Sequence, residues 1–281
     1  MTGATTMDGV RLDCLLELLS DKDEVTQRIV RSKVLELGWD AVVYFYDNID
    51  RVIPEELRTD VRRNVRETSV LMAVCQLTDL MKSGTELYLP DCLYYLTRIV
   101  QPELRPEEFR SAYEGIGNDL MCELRDGMTA VEKVEMLNCI MFDMHGFCLN
   151  RTGRDGAEHP ISLTELLKCR KGGAVGLSIV YFLLAAYAGL PVYPVFPRSP
   201  GYYVSYMEEG RSLFTVDVGG SGRITDPVPA EIMHRLRRSG DGRGVVYIYA
   251  TALRHYCRGL SKSEVTALEG VALMAGIRSI P

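Results

Sequence analysis

The chain has 281 residues, 47% of them hydrophobic and 25% charged, with a formal net charge of −6. This is the composition of a soluble globular protein large enough for one big domain or two to three small ones. The acidic balance excludes a global electrostatic footprint for nucleic acid, and Met1 to Asp13 lacks the basic and apolar stretches of a secretory signal.

The first 127 residues read as helices without strand alternation. Leu12 to Leu19 is apolar at helical spacing, and Ser20 with Asp23 looks like a capping box for the next helix. That helix is expected to bury Val25, Ile29, Val30 and Val34 on one side and to stop at Gly38. Trp39 to Asp47 continues the pattern. Pro54 opens a long helix running to Ser83-Gly84, and two more follow over Pro90 to Val100 and Pro106 to Leu124. Such an array commonly presents a surface to a partner.

Asp126-Gly127 is the first clear break. Thr129 with Glu132 forms a capping box, and Val134, Leu137, Met141 and Met144 make an amphipathic stripe behind it. After a polar loop from Asn150 to Glu158, Ser162 with Glu165 caps a short helix, Leu163 to Arg170. The uncharged run from Ala174 to Phe196 is long enough for a membrane span, but Gly189-Leu190-Pro191 and Pro194 divide it. It reads instead as a buried helix, Gly176 to Ala188, followed by a strand, Val192 to Phe196. Tyr202 to Tyr206 and Leu213 to Val216 are two further strands, joined as a hairpin through Met207 to Arg211. Pro229 to Arg238 reads as a helix ending in the basic cluster His234 to Arg238, a solvated helix end. Val245 to Arg258 and Lys262 to Ala275 read as a tetratricopeptide-like hairpin broken at Gly259. The fold class is therefore α+β. The expected domains are a helical array over 1–127, a core of one central helix and a small antiparallel sheet over 128–240, and a helical hairpin over 241–281.

The eight cysteines are scattered, without a CxxC pair or zinc-ligand spacing. They are expected to be reduced, mostly buried thiols of a cytoplasmic protein. No cofactor or metal is expected, because Gly220-Ser221-Gly222 lacks a strand–helix context and no Asp, Glu and His cluster is present.

The order of elements, and two stretches in particular, resemble the SirB-type transglutaminase-like family, a branch of the papain-like fold. VEMLNCIMFDMHGFCLN (Val134–Asn150) is similar to that family's helix and exit before the core. LTELLKCRKGGAVGLSIVYFLLAAYAGLP (Leu163–Pro191) is similar to its helix, basic turn, buried helix and Gly-Leu-Pro signature. The resemblance implies a papain-like core. In active relatives it also implies a Cys at the start of the buried helix, a His on the next hairpin as base, and an Asp or Asn to orient it. Here Ala174-Val175-Gly176-Leu177-Ser178 carries no Cys, with Gly176 where the family has a small hydroxyl residue. Pro200-Gly201-Tyr202 stands where Pro-Gly-His is expected, and Asp217 matches the third position. Tyrosine is not a base at neutral pH without a large pKa shift.

Gly176, Ser178, Tyr202 and Asp217 are thus the positions of a degenerate site. The function expected is a non-catalytic scaffold with a protein partner, without nucleic acid or membrane. The alternative is a hydrolase or amide-transferase with a rewired site. Ser178 or Cys169 would be its nucleophile, and His145 or His159 its displaced base. Arg198, Tyr202, Tyr203 and Tyr206 are candidates to line a groove.

Overall fold

A computed structural model describes residues 4–82, 87–150, 161–197, 201–229 and 242–276. The N-terminal helices are α1 (Ala4–Leu18), α2 (Glu24–Leu37), α3 (Trp39–Val52), α4 (Glu55–Lys82), α5 (Leu89–Val100) and α6 (Pro106–Glu123). Prolines begin α5 and α6, where a missing N–H costs nothing. Two expectations fail here. Asp23 alone caps α2, accepting from the Thr26 N–H at 2.9 Å, while the Ser20 hydroxyl donates back to the Glu17 carbonyl. And α2 buries only Val30 and Val34; Val25 and Ile29 are 60% and 64% exposed. The helix rests on its neighbours along a narrower stripe than its sequence suggests.

α7 (Ala130–Asn138) carries the expected Thr129–Glu132 capping box. It then widens into a π-helical turn over Cys139–Met144. The extra residue per turn shifts the apolar stripe, so Ile140 and Met141 are buried and Met144 is 60% exposed. β1 (Cys148–Leu149) pairs in parallel with β2 (Lys171–Gly172), which follows α8 (Leu163–Cys169). Ser162 is the N-cap of α8 but makes no capping bond; its hydroxyl meets Thr164 instead.

α9 (Ala174–Tyr187) begins two residues earlier than predicted. Every residue from Gly176 to Ala185 is buried, and α5, α6, α8, α10 and the sheet pack around it. Burying its six large apolar side chains contributes roughly 10–18 kcal/mol before conformational entropy is subtracted. The sheet is antiparallel, in the order β3 (Val192–Val195), β4 (Tyr203–Glu208), β5 (Arg211–Asp217), β6 (Arg223–Thr225). β6 was not anticipated from the sequence. α10 (Arg243–Tyr256) and α11 (Lys262–Met274) form the C-terminal hairpin, which packs on α4 and α5. One hydrophobic cluster runs from Val70 to Ala275, across both residue 127 and residue 240; a second joins α1–α3 to the first half of α4. The break at Asp126-Gly127 is thus a turn in the chain within continuous packing. The predicted helix over Pro229 to Arg238 and its basic cluster fall, from residue 230 on, outside the described residues.

All eight cysteines are free thiols. Contrary to expectation most are exposed: Cys92 is buried and Cys257 half-buried, while Cys14, Cys75, Cys122, Cys139, Cys148 and Cys169 face solvent. Among the described residues no helix is long and apolar enough to cross a membrane, and no cluster of His, Cys, Asp and Glu could hold a metal ion.

Candidate functional site

The start of α9 faces the open end of the β4–β5 hairpin across a cavity of about 500 Å³. Ala174, Val175 and Ser178 line it from the helix; Tyr202, Asp217 and Arg223 line it from the sheet side. The ladder explains the convergence. Val204 pairs with Val216, so the residues just before β4 and the residues ending β5 share one end of the sheet. The chain reaches α9 through Arg170, in the left-handed conformation, and the extended N-cap Gly173, which offers no side-chain cap.

Tyr202 packs between Phe182 and Phe196, with ring centroids 6.4 and 6.3 Å away. Burial raises its pKa, and the adjacent Ser178 hydroxyl opposes that only in part. The phenol stays protonated at neutral pH and is no proton acceptor for a nucleophile. Ser178 is 5% exposed and donates to the Ala174 carbonyl at 2.9 Å, the usual back-bond of a helical serine. The Asp217 carboxylate turns into its own loop. It accepts from the Gly220 N–H at 2.9 Å and meets Arg223 at 3.4 Å.

Gly176 lies on the buried side of α9 and does not line the cavity. Starting the helix at Ala174 makes Gly176 its third residue and turns it inward. Tyr203 joins the cavity lining, whereas Tyr206 stacks on Phe214 in the core. Arg198 and His159 lie outside the described residues.

His145 and Cys169 sit elsewhere. His145 Nε2 lies 2.8 Å from Asp119, and its Nδ1 lies 2.7 Å from Arg170 Nη1. A guanidinium only donates, so Nδ1 accepts and Nε2 carries the proton toward Asp119. Both ring nitrogens are therefore engaged. The Cys169 thiol is exposed and donates to the Lys171 carbonyl at 3.2 Å.

Asn138 was missed by sequence reasoning. On α7, it accepts from the Tyr181 hydroxyl at 2.9 Å and donates to the Gly222 carbonyl at 2.8 Å. This relay ties α9 and α7 to the loop that carries Asp217 and Arg223. Residues 107–240 match the family model described as the transglutaminase-like superfamily. This stretch is a transglutaminase-like domain. It contains α9, Tyr202 and Asp217, so the cavity lies within the matched region. No curated protein and no solved structure matches the chain.

Proposed function

We propose that the chain is a non-catalytic transglutaminase-like protein of the SirB type that acts as a protein-binding or regulatory scaffold. The observation that carries this reading is the cavity lining: Ala174, Val175 and Ser178 on the helix start, Tyr202 opposite, and Asp217 turned into its own loop. Acyl transfer needs a nucleophile and a base that accepts its proton near neutral pH. Losing either typically costs factors of about 10⁴ to 10⁶ in rate. The Ser178 proton points to a backbone carbonyl, and the Tyr202 phenol is held in its neutral form by burial. The engaged nitrogens of His145 speak against a relocated base. The binding half of the proposal draws on α2, where Val25 and Ile29, one helical turn apart on the same face, are both exposed.

Two experiments test it. Thiol- and serine-directed activity probes on the purified chain should give no single stoichiometric adduct. An adduct abolished by Cys169→Ala or Ser178→Ala overturns the reading in favour of a hydrolase or amide-transferase. Native-lysate pull-downs with the wild type and with Val25→Asp/Ile29→Asp should recover a partner that the variant loses. Recovery of none, together with measurable intrinsic hydrolysis, refutes the scaffold.

A further inference from the structure

Away from the transglutaminase-like cavity, a second one of about 410 Å³ opens where α4, the end of α5, the start of α8 and the α10–α11 link meet. Its polar lining includes Arg66, Gln101, Ser162, Glu165 and Arg258. The volume falls in the range of small-molecule sites, roughly 300–1,000 Å³.

The site is built around an arginine held from behind. Glu264 is wholly buried, and its Oε1 accepts from Arg66 Nε at 2.7 Å and from Nη2 at 2.6 Å. Its Oε2 is taken by the Ser261 N–H and hydroxyl, at 2.6 and 2.7 Å. The carboxylate thus fixes one edge of the guanidinium, and the Nη1 edge is what Arg66 can offer the cavity. Gln101 is oriented in the same way. Thr164 donates to its Oε1 at 2.6 Å, so the amide oxygen is committed and the two Nε2 protons are its contribution. With the Thr164 proton spent there, the 2.9 Å contact between Ser162 and Thr164 is donated by Ser162.

Among the described residues the lining carries charges of both signs: Arg66, backed by the buried Glu264, and Arg258 are basic, and Glu165 is acidic. A ligand carrying one charge of each sign meets both. Tyr256, Val100, Ile161 and Leu260 supply an apolar wall beside these groups.

We propose that this cavity binds a small zwitterion of the amino-acid class. Its carboxylate is held by Arg66 and Gln101, and its ammonium group by Glu165. Because the walls come from α4, α8 and the α10–α11 link, an occupant bridges all three and stabilises the folded chain as a whole.

The test uses the full chain. Thermal-shift and calorimetric titrations are run with the proteinogenic L-amino acids, each beside its N-acetyl and methyl-ester derivatives. At least one free amino acid should raise Tm saturably, and each blocked form should bind about tenfold more weakly. Glu165→Gln should weaken binding as N-acetylation does, and Gln101→Leu as esterification does. Arg66→Ala would leave the buried Glu264 without its cation and destabilise the fold, confounding a binding measurement, so the two rim variants carry the test. Absence of binding by every free amino acid, or equal binding by the blocked forms, overturns the site. Arg66–Glu264 is then only a structural pin between α4 and α11.

Discussion

Gly222→Ala tests how the transglutaminase-like cavity is held in shape. Gly222 has φ +83°, and a β-carbon built there would lie inside the Asn138 amide, 2.6 Å from its Nδ2. Three costs add. The left-handed backbone costs a non-glycine residue about 1–2 kcal/mol. Forcing a methyl group into occupied space costs about 1–3 kcal/mol. Displacing Asn138 breaks its bonds to Tyr181 and Gly222, each contributing about 0.5–1.5 kcal/mol. Partial relief of the clash by Asn138 movement overlaps with the last of these costs, so the expected loss is about 3–5 kcal/mol by urea denaturation. Asn138→Ala alone should cost about 1–3 kcal/mol, because it leaves the Tyr181 hydroxyl without its partner. In the double variant the new β-carbon has room, so its loss should fall below the sum of the two by at least about 1 kcal/mol. Strict additivity, or a Gly222→Ala loss under about 0.5 kcal/mol, would show that the loop is not packed against Asn138 and refute the reasoning.

Other expectations are briefer. Glu264→Ala should lower stability by about 3 kcal/mol in the same assay, the low end for a broken buried pair because Arg66 is 41% exposed; a loss under about 1 kcal/mol contradicts a tight Arg66–Glu264 pin. In native protein at pH 8, iodoacetamide should modify Cys14, Cys75, Cys122, Cys139, Cys148 and Cys169. Burial pushes Cys92 up to about 12 and Cys257 up to about 11, so Cys92 should stay unmodified until unfolding and Cys257 should react slowly; peptide mass spectrometry reads both. Tyr202→His should produce no amidase or amine-transfer activity, since Ala174 and Val175 supply no nucleophile and the Ser178 hydroxyl is bonded to the Ala174 carbonyl; turnover from this single change that Ser178→Ala abolishes would contradict the non-catalytic reading.

The helices were legible wherever apolar spacing and stop signals agree. Gly38, Pro54, Pro106 and Gly259 mark ends that the structure reproduces within a residue or two. What the sequence hid is rotation and partner choice. Val25 and Ile29 lie on an apolar stripe that tertiary packing uses only in part. The π-turn at Cys139–Met144 carries no residue signal, yet it moves Met144 from the core to solvent. Cysteine burial was misjudged for a related reason: the preference of a residue type for the interior says nothing about which face of its own helix it occupies.

The candidate site was half legible, and the division follows from what sets each residue's position. Tyr202 precedes β4 and Asp217 ends β5, strands joined by the Glu209-Gly210 turn and paired with a register shift at Tyr206/Met207, so the two residues fall at the same end of the sheet. The helix start has no such anchor. Gly173 caps α9 without a side chain, and Gly172 to Gly176 offers neither polar cap nor periodic stripe from which to count. An expected start at Gly176 therefore fell two residues late, and the cavity wall passed from Gly176 to Ala174, Val175 and Ser178. That shift bears on chemistry. A glycine near a helix start leaves room for a reacting group, whereas Ala174 and Val175 place methyl groups there. The apolar wall, the neutral phenol opposite and the inward-bonded Asp217 are the features on which the proposed non-catalytic reading rests, a cavity that holds a group rather than attacks one.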